Sequence, residues 1–213
     1  MNSRYEALVK IAGPVSRETF DRLLAFEQKF LHWSKSINLA APSTLPHIWE
    51  RHILDSSQLV THVKHADSLV DIGSGGGFPG AILAIMLADR TQVHLVESNR
   101  KKASFLNTVL HELGTPAQVH AKRIEDSYDL VGRADVVTAR ALAPLKLLLE
   151  LASPWISGGA SAYFHKGRDY QQEIAESDTL DSYDLLIHQD LVTKEGVILQ
   201  LSKKQQPAAP GGE

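Results

Sequence analysis

The sequence predicts an α/β fold in which a mostly parallel sheet is covered by helices on both faces. From residue 67 onward, short apolar segments alternate with helix-length amphipathic segments, a succession that is typical of parallel sheets. Residues 1–66 show helical periodicity instead, so we expect an N-terminal helical extension. The last two strand-like segments have no helix between them and should pair antiparallel. We therefore predict a domain over 67–202 and a disordered tail over 203–213, which is rich in Lys, Gln, Pro and Gly.

The helical extension is predicted from apolar stripes and from the residues that end them. The first helix should stop at Gly13 and Pro14. The second should run from about Arg17 to Trp33 and begin after Ser16, a plausible N-cap. We expect Pro46 to open a third helix.

The second part of the chain is predicted to contain seven strands. The expected strands are Ser68–Ile72, Gln92–Glu97, Ala117–Ala121, Ala134–Thr138, Ser161–His165, Tyr183–His188 and Val197–Leu201. The expected helices between them are Ala81–Ala88, Arg100–Leu113, Pro144–Ser153 and Tyr170–Ser177.

Composition excludes several classes of protein. No cysteine is present, which rules out disulfides, thiolate metal sites and thiol nucleophiles. No run of 18 apolar residues is found and no histidine pair has helical metal-ligand spacing, so we expect neither a membrane span nor a metal site. We expect a cytoplasmic protein. The net charge is −3, and the first third is its most basic part, so any contact with phosphate should be local.

The strongest signal is a glycine-rich turn directly after the first predicted strand. It reads Asp71-Ile72-Gly73-Ser74-Gly75-Gly76-Gly77-Phe78-Pro79-Gly80. Glycines let a backbone turn tightly and let a ligand approach the strand end. The dinucleotide pattern G-x-G-x-x-G fails because Phe78 stands where its third glycine belongs, and no P-loop lysine follows. The turn resembles the first motif of S-adenosylmethionine-dependent methyltransferases, so Asp71, Gly73, Gly75 and Gly77 are candidate cofactor residues.

Two further loops at strand ends carry candidate cofactor residues. Glu97 ends the second strand 20 residues after Gly77, where a carboxylate can accept hydrogen bonds from both ribose hydroxyls. The alternative is an acid paired with a nearby cation. Ile124 and Glu125 follow the third strand and could contact the adenine, although an ordinary charged loop fits the spacing nearly as well.

Cations and one histidine are candidates for positioning the acceptor. Arg140 ends the fourth strand and Lys166 the fifth, so both should face the cleft, where they could bind phosphate or a base edge. Lys35 and Arg51 lie in the extension. Arg51 could simply pair with an acid one turn later, and His52 could simply be buried.

Together these segments resemble the bacterial 16S ribosomal RNA guanine-N7 methyltransferase G family, also called glucose-inhibited division protein B. The resemblance covers roughly residues 16–202. It depends on Trp33-x-Lys35-x-x-Asn38-Leu39, Arg51-His52-Ile53-Leu54-Asp55-Ser56, the glycine-rich turn, Arg140-Ala141 and Lys166-Gly167.

The resemblance implies a Rossmann-like class I methyltransferase sheet, with six parallel strands and one antiparallel. It implies methyl transfer from S-adenosyl-L-methionine to N7 of a guanine in the decoding-region loop of 16S rRNA. The family's cofactor contacts carry over onto Gly73, Phe78, Ile124, Glu125 and Arg140. We expect a monomer that acts on 16S rRNA or the small ribosomal subunit, with Lys35, Arg51 and Lys166 on RNA.

No catalytic residue can be assigned from the sequence, and His52, Arg140 and Lys166 are positioning candidates. Guanine N7 carries an unprotonated lone pair, so its methylation needs alignment rather than a general base. Three alternatives remain open. They are a methyltransferase of another substrate class, a cofactor-binding regulatory protein without catalysis and, disfavoured by Phe78, a dinucleotide oxidoreductase.

Overall fold

The computed structural model describes residues 3–204, and its centre is a seven-stranded sheet in the order β3-β2-β1-β4-β5-β7-β6. The strands are β1 Ser68–Ile72, β2 Gln92–Val96, β3 Ala117–His120, β4 Val136–Arg140, β5 Ser161–Lys166, β6 Tyr183–Gln189 and β7 Val197–Lys203. Only β7 runs against its neighbours β5 and β6, so six strands are parallel and one is antiparallel. This confirms the predicted fold class.

Nine α-helices accompany the sheet within residues 3–204. They are α1 Ser3–Ala12, α2 Arg17–Trp33, α3 Asp55–Ser57, α4 Val60–Val63, α5 Gly80–Met86, α6 Arg100–Glu112, α7 Tyr128–Val131, α8 Leu145–Ser157 and α9 Tyr170–Ala175. Helix α2 has the predicted bounds, and the Ser16 hydroxyl caps it by accepting from the Thr19 N–H at 3.0 Å. None of the helices within 3–204 is long and apolar enough to cross a membrane.

The sequence-based prediction differs from the structure in several element bounds, and three of the differences concern local structure near the site or the end of the chain. Pro46 does not open a helix but lies inside the 3₁₀ helix Pro42–His47, which leads into a π-helical turn, Trp49–Leu54. Strand β4 begins two residues later than predicted, at Val136, and the Asp135 carboxylate just before it accepts the N–H groups of residues 67 and 68. The predicted tail begins inside β7, and its residues 205–213 lie outside the described part of the chain.

The extension and the sheet share one hydrophobic core. Phe26 and Phe30 of α2 pack against Phe105 of α6 at ring-centroid distances of 6.2 and 5.9 Å. The same two rings contact Phe78 of the glycine-rich turn at 5.9 and 5.2 Å. Because this turn is packed directly under α2, the extension fixes the position of one wall of the site.

Candidate functional site: a cofactor cavity beside a charged pocket

A cavity of about 520 Å³ opens at the carboxyl ends of β1, β2 and β4. This is where ligands bind in open parallel sheets, and the volume lies in the range of small-molecule sites. Its lining contains seven of the nine predicted cofactor residues, namely Gly73, Gly75, Phe78, Glu97, Ile124, Glu125 and Arg140. Asp71 and Gly77 are not part of the lining.

The glycine-rich turn is held by backbone hydrogen bonds to the next strand. The N–H groups of Gly73 and Ser74 both donate to the carbonyl of Val96, at 2.9 and 3.0 Å. Gly75 has a φ of +56°, and a Cβ built on it would lie 3.7 Å from the Gly73 carbonyl oxygen with no closer neighbour. The turn therefore leaves free space in front of Gly75, where a ligand can contact the backbone closely.

Asp71 and Gly77 stabilise the turn from behind rather than contact the cavity. The Asp71 carboxylate accepts from the Thr138 hydroxyl at 2.7 Å and from the Gly80 N–H at 3.2 Å, and burial raises its pKa to about 6. A Cβ on Gly77 would lie 2.7 Å from the Ala81 side chain, so this glycine permits close packing of α5. The structure therefore favours a supporting role for both residues, and their predicted contact with the cofactor stays a prediction.

Glu97 lies at the end of β2 and faces the turn. Its Oε2 accepts from the Gly75 N–H at 2.8 Å and its Oε1 accepts from the Asn99 N–H at 2.7 Å. Neither Arg100 nor Lys101 pairs with it. Each carboxylate oxygen keeps a second lone pair, so Glu97 can accept from ribose hydroxyls while it fixes the backbone of the turn.

Phe78 and His52 form a stacked pair at the wall nearest the extension, with ring centroids 4.9 Å apart and an interplanar angle of 24°. Both residues line the cavity. Burial, followed by the charges of Arg140 and Arg51, lowers the pKa of His52 to about 4. The imidazole is therefore neutral at pH 7 and acts there as a flat, weakly basic surface.

Arg140 connects the end of β4 to the extension. Its Nη1 lies 3.1 Å from Asp55 Oδ2 and its Nη2 donates to the Arg51 carbonyl at 2.7 Å. The suggested pairing of Arg51 with Asp55 is thus replaced by a pairing of Asp55 with Arg140. Arg140 lines the cofactor cavity and also a second pocket of about 250 Å³.

The second pocket is lined mainly by charged and polar groups, and it adjoins the cofactor cavity at Arg140 and Ala141. Asp55, His165 and Asp190 contribute buried side chains to it. Burial, followed by the charge of Arg140, lowers the pKa of His165 to about 3. Among residues 3–204, no group of acids and histidines is arranged to hold a metal ion.

The three predicted RNA-binding cations have different environments. The side chains of Lys35 and Arg51 are exposed, and Arg51 lies at the second pocket. Lys166 also lines this pocket, but its side chain is only 7% exposed and its Nζ lies 2.5 Å from Glu173 Oε2. This pairing favours a structural role for Lys166, and its predicted contact with RNA stays a prediction.

Several residues of the cofactor cavity were not identified from the sequence. The segment after α2 contributes Leu39, Ala40, Ala41 and Thr44, helix α6 contributes Lys102, and loops at the strand ends contribute Lys122, Arg123 and Leu142. No local motif distinguishes the apolar residues among them. The cation pair Lys122-Arg123 stands next to Ile124-Glu125 in the sequence and was the available signal.

The chemistry of this lining fits S-adenosylmethionine. The cofactor has no pyrophosphate, and the turn offers an open glycine, a ribose-accepting carboxylate at Glu97 and the buried Ile124 beside the place for an adenine. Lys122 and Arg123 also line the cavity and could pair with an anionic group.

Comparisons with known proteins agree with this geometry. The family model described as "GidB: rRNA small subunit methyltransferase G" matches residues 19–202. The chain is 55% identical to "Ribosomal RNA small subunit methyltransferase G" of Chelativorans sp. (strain BNC1), over 95% of this chain and 97% of that one. The protein of the same name from Brucella canis is 53% identical, over 93% and 94% of the two chains.

A solved structure supports the fold independently. An S-adenosylmethionine-dependent O-methyltransferase from Thermotoga maritima superimposes with a TM-score of 0.59 at 14% identity, covering 85% of this chain and 72% of that one. This likeness concerns the fold, whereas the family match covers most of the sequence. The chain belongs to the rRNA small subunit methyltransferase G family, and its methyl donor is S-adenosylmethionine.

Proposed function

We propose that this protein transfers a methyl group to N7 of a guanine in the decoding-region loop of 16S rRNA. The observation that supports it best is the arrangement of two adjoining spaces. The cofactor cavity meets the charged second pocket at Arg140 and Ala141, so a base seated at that boundary lies next to the donor. Family membership supports small-subunit rRNA as the substrate class.

The protein's own groups bind and orient in this reaction. Bound S-adenosylmethionine supplies an activated methyl group on a sulfonium. Glu97 and the turn fix its ribose end, and Phe78 with His52 forms the wall against which a flat group can rest. Arg140, held by Asp55 and the Arg51 carbonyl, fixes the boundary at which N7 must be aligned with the methyl carbon.

The two histidines of the site are poor bases. An amine must lose a proton when it is methylated, whereas N7 attacks with a free lone pair. His52 and His165 line the two spaces, and their pKa values are lowered to about 4 and about 3. N7 methylation needs neither of them as a proton acceptor.

The test is methylation in vitro followed by mapping. Unmethylated 16S rRNA, and separately small subunits, are incubated with S-adenosylmethionine labelled at the methyl group. We expect label at one guanine N7, detected by cleavage at the modified base. Label on an exocyclic amine, or cofactor binding without transfer to any ribosomal RNA, would support the substrate or regulatory alternative instead.

Assembly state and location are part of the same proposal. We infer a monomer in the cytoplasm, where the ribosomal substrate is found. A sedimentation measurement that gave twice the 23.4 kDa chain mass would contradict the monomer.

A further inference from the structure

The loop that follows β4 forms the wall shared by the cofactor cavity and the second pocket. Ala141 borders both spaces. Leu142 lines the cofactor cavity and covers the first glycine of the turn, because a Cβ on Gly73 would lie 2.5 Å from Leu142 Cδ1. The position of loop 141–144 therefore determines how a base and a methyl donor can meet.

This loop has a backbone conformation that needs support. Ala141 has a φ of +50°, in the left-handed region that residues with a Cβ adopt rarely. Leu142 is 37% exposed, so it is not anchored in the hydrophobic core. A conformation of this kind persists only where surrounding contacts determine it.

Two charged side chains outside the loop provide those contacts. Lys166 Nζ donates to the Ala143 carbonyl at 2.8 Å, and Glu173 Oε2 accepts from the Leu145 N–H at 2.7 Å. The two side chains also pair with each other, with Nζ and Oε2 2.5 Å apart. They thus hold the end of the loop from both its carbonyl and its amide side.

We propose that Glu173, acting with Lys166, is a positioning residue that fixes loop 141–144 for methyl transfer. The proposal rests on the proposed function, since it concerns the same two spaces. Glu173 lies on α9 and lines neither of them. It acts on the reaction only through the loop. Lys166 is accordingly assigned to loop support rather than to phosphate binding.

The chain offers a matched control on the same pair of helices. Lys146 of α8 pairs with Asp178, just after α9, at 3.1 Å, and both side chains are more than half exposed. Asp178→Asn removes a carboxylate charge opposite a lysine without touching the loop. Glu173→Gln makes the same chemical change at the buried pair.

We expect Glu173→Gln to lower the single-turnover methylation rate by about 10- to 100-fold, the scale of a misplacement near 1 Å. The Kd for S-adenosylhomocysteine and the KM for RNA should change less than about threefold, because the turn, Glu97 and the exposed cations are unaffected. Asp178→Asn should retain the wild-type rate. Equal rates in the two variants, or a loss confined to cofactor affinity, would overturn the proposal.

A double variant separates positioning from the cost of an unpaired buried charge. Lys166→Met with Glu173→Leu removes both charges and keeps apolar volume, a replacement that is often tolerated by the fold. We expect it to fold and to be at least as slow as Glu173→Gln, because the Ala143 carbonyl and the Leu145 amide then both lack a side-chain partner. Recovery of the wild-type rate would show that the loop needs no such support.

Amide hydrogen exchange tests the support without any methylation. In Lys166→Met with Glu173→Leu, which leaves no acceptor at position 173, the Leu145 amide should exchange at least about tenfold faster, while the Leu148 amide, bonded to the Pro144 carbonyl, should not change. If wild-type protein methylated no RNA but Leu145 exchange still responded, the proposed function would fail and the loop support would stand. Unchanged Leu145 exchange would refute the support itself.

Discussion

Arg140 at the end of β4 pairs with Asp55 of the extension, and the two charged groups are 3.1 Å apart. Gln58 donates hydrogen bonds to Asp55 at 2.8 Å and to Asp190 at 3.2 Å. Asp190 lies in the connection between β6 and β7, so this connection is linked to the pair as well. The pair thus joins three parts of the chain that are far apart in sequence. Its charge state should affect the stability of the fold.

The first prediction concerns stability and pH. Burial raises the pKa of Asp55 to about 6, although Arg140 and Gln58 act in the opposite direction. An acid with a raised pKa in the folded state stabilises the protein fully below its unfolded value and loses that contribution as pH rises through about 6. The free energy of unfolding, relative to Asp55→Asn, should therefore fall by up to about 3 kcal/mol between pH 4 and pH 7. Denaturant titrations measure it, and exposed Asp129→Asn should show no such trend.

The second prediction concerns the pH dependence of the reaction. His52 and His165 stay neutral above about pH 5, because their pKa values are lowered to about 4 and about 3. With RNA saturating, the single-turnover rate should be nearly flat from about pH 6 to about pH 8.5. An acidic limb near pH 6.5 that disappears in His52→Gln or His165→Gln would assign that histidine a proton-transfer role.

The third prediction tests the glycine-rich turn. Gly75→Val should abolish binding of S-adenosylhomocysteine, measured by calorimetry, because the branched side chain would enter the open space of the cavity. Gly114→Val is the control for backbone strain. Gly114 has a similar φ of +61° but lies after α6 with no atom within 4 Å of an added Cβ. If a folded Gly75→Val variant bound as well as this control, the cofactor would have to lie elsewhere.

The fourth prediction concerns Glu97. Glu97→Ala should weaken cofactor binding by roughly 1–3 kcal/mol, the scale of lost charge-assisted hydrogen bonds. An analogue without ribose hydroxyls should lose much less. Equal losses for both ligands would mean that Glu97 acts only by holding the N–H groups of Gly75 and Asn99.

The fifth prediction concerns RNA. Replacing the exposed Lys35 and Arg51 with glutamine should reduce RNA affinity and flatten its dependence on salt, while cofactor affinity stays constant. Arg90→Gln with Arg133→Gln is the matched control. These two exposed cations precede β2 and β4 and therefore lie at the amino ends of the strands, away from the cofactor cavity at the carboxyl ends. A salt slope that changed only in the control would place the RNA surface there.

Periodicity and glycine spacing were sufficient to predict the sheet, its antiparallel hairpin and the glycine-rich turn of the cofactor cavity, and the family resemblance added Phe78 and Arg140. These features depend on residues close together in the sequence. The pairing of Arg140 with Asp55 joins residues 85 positions apart, and only the packing of the extension on the sheet brings them together. Lys166 is a second example. Nothing in the sequence around it indicates that Glu173 of α9 lies next to it.

The insertion of β7 between β5 and β6 has a consequence for the order of synthesis. Strand β7 is the last of the seven strands to be synthesised, yet it lies inside the sheet and pairs with a neighbour on each side. Until that strand has left the ribosome, β6 has no partner to pair with. Premature termination before Val197 should therefore leave two open strand edges, and such a nascent chain should be a substrate for chaperones and proteases rather than a shortened enzyme.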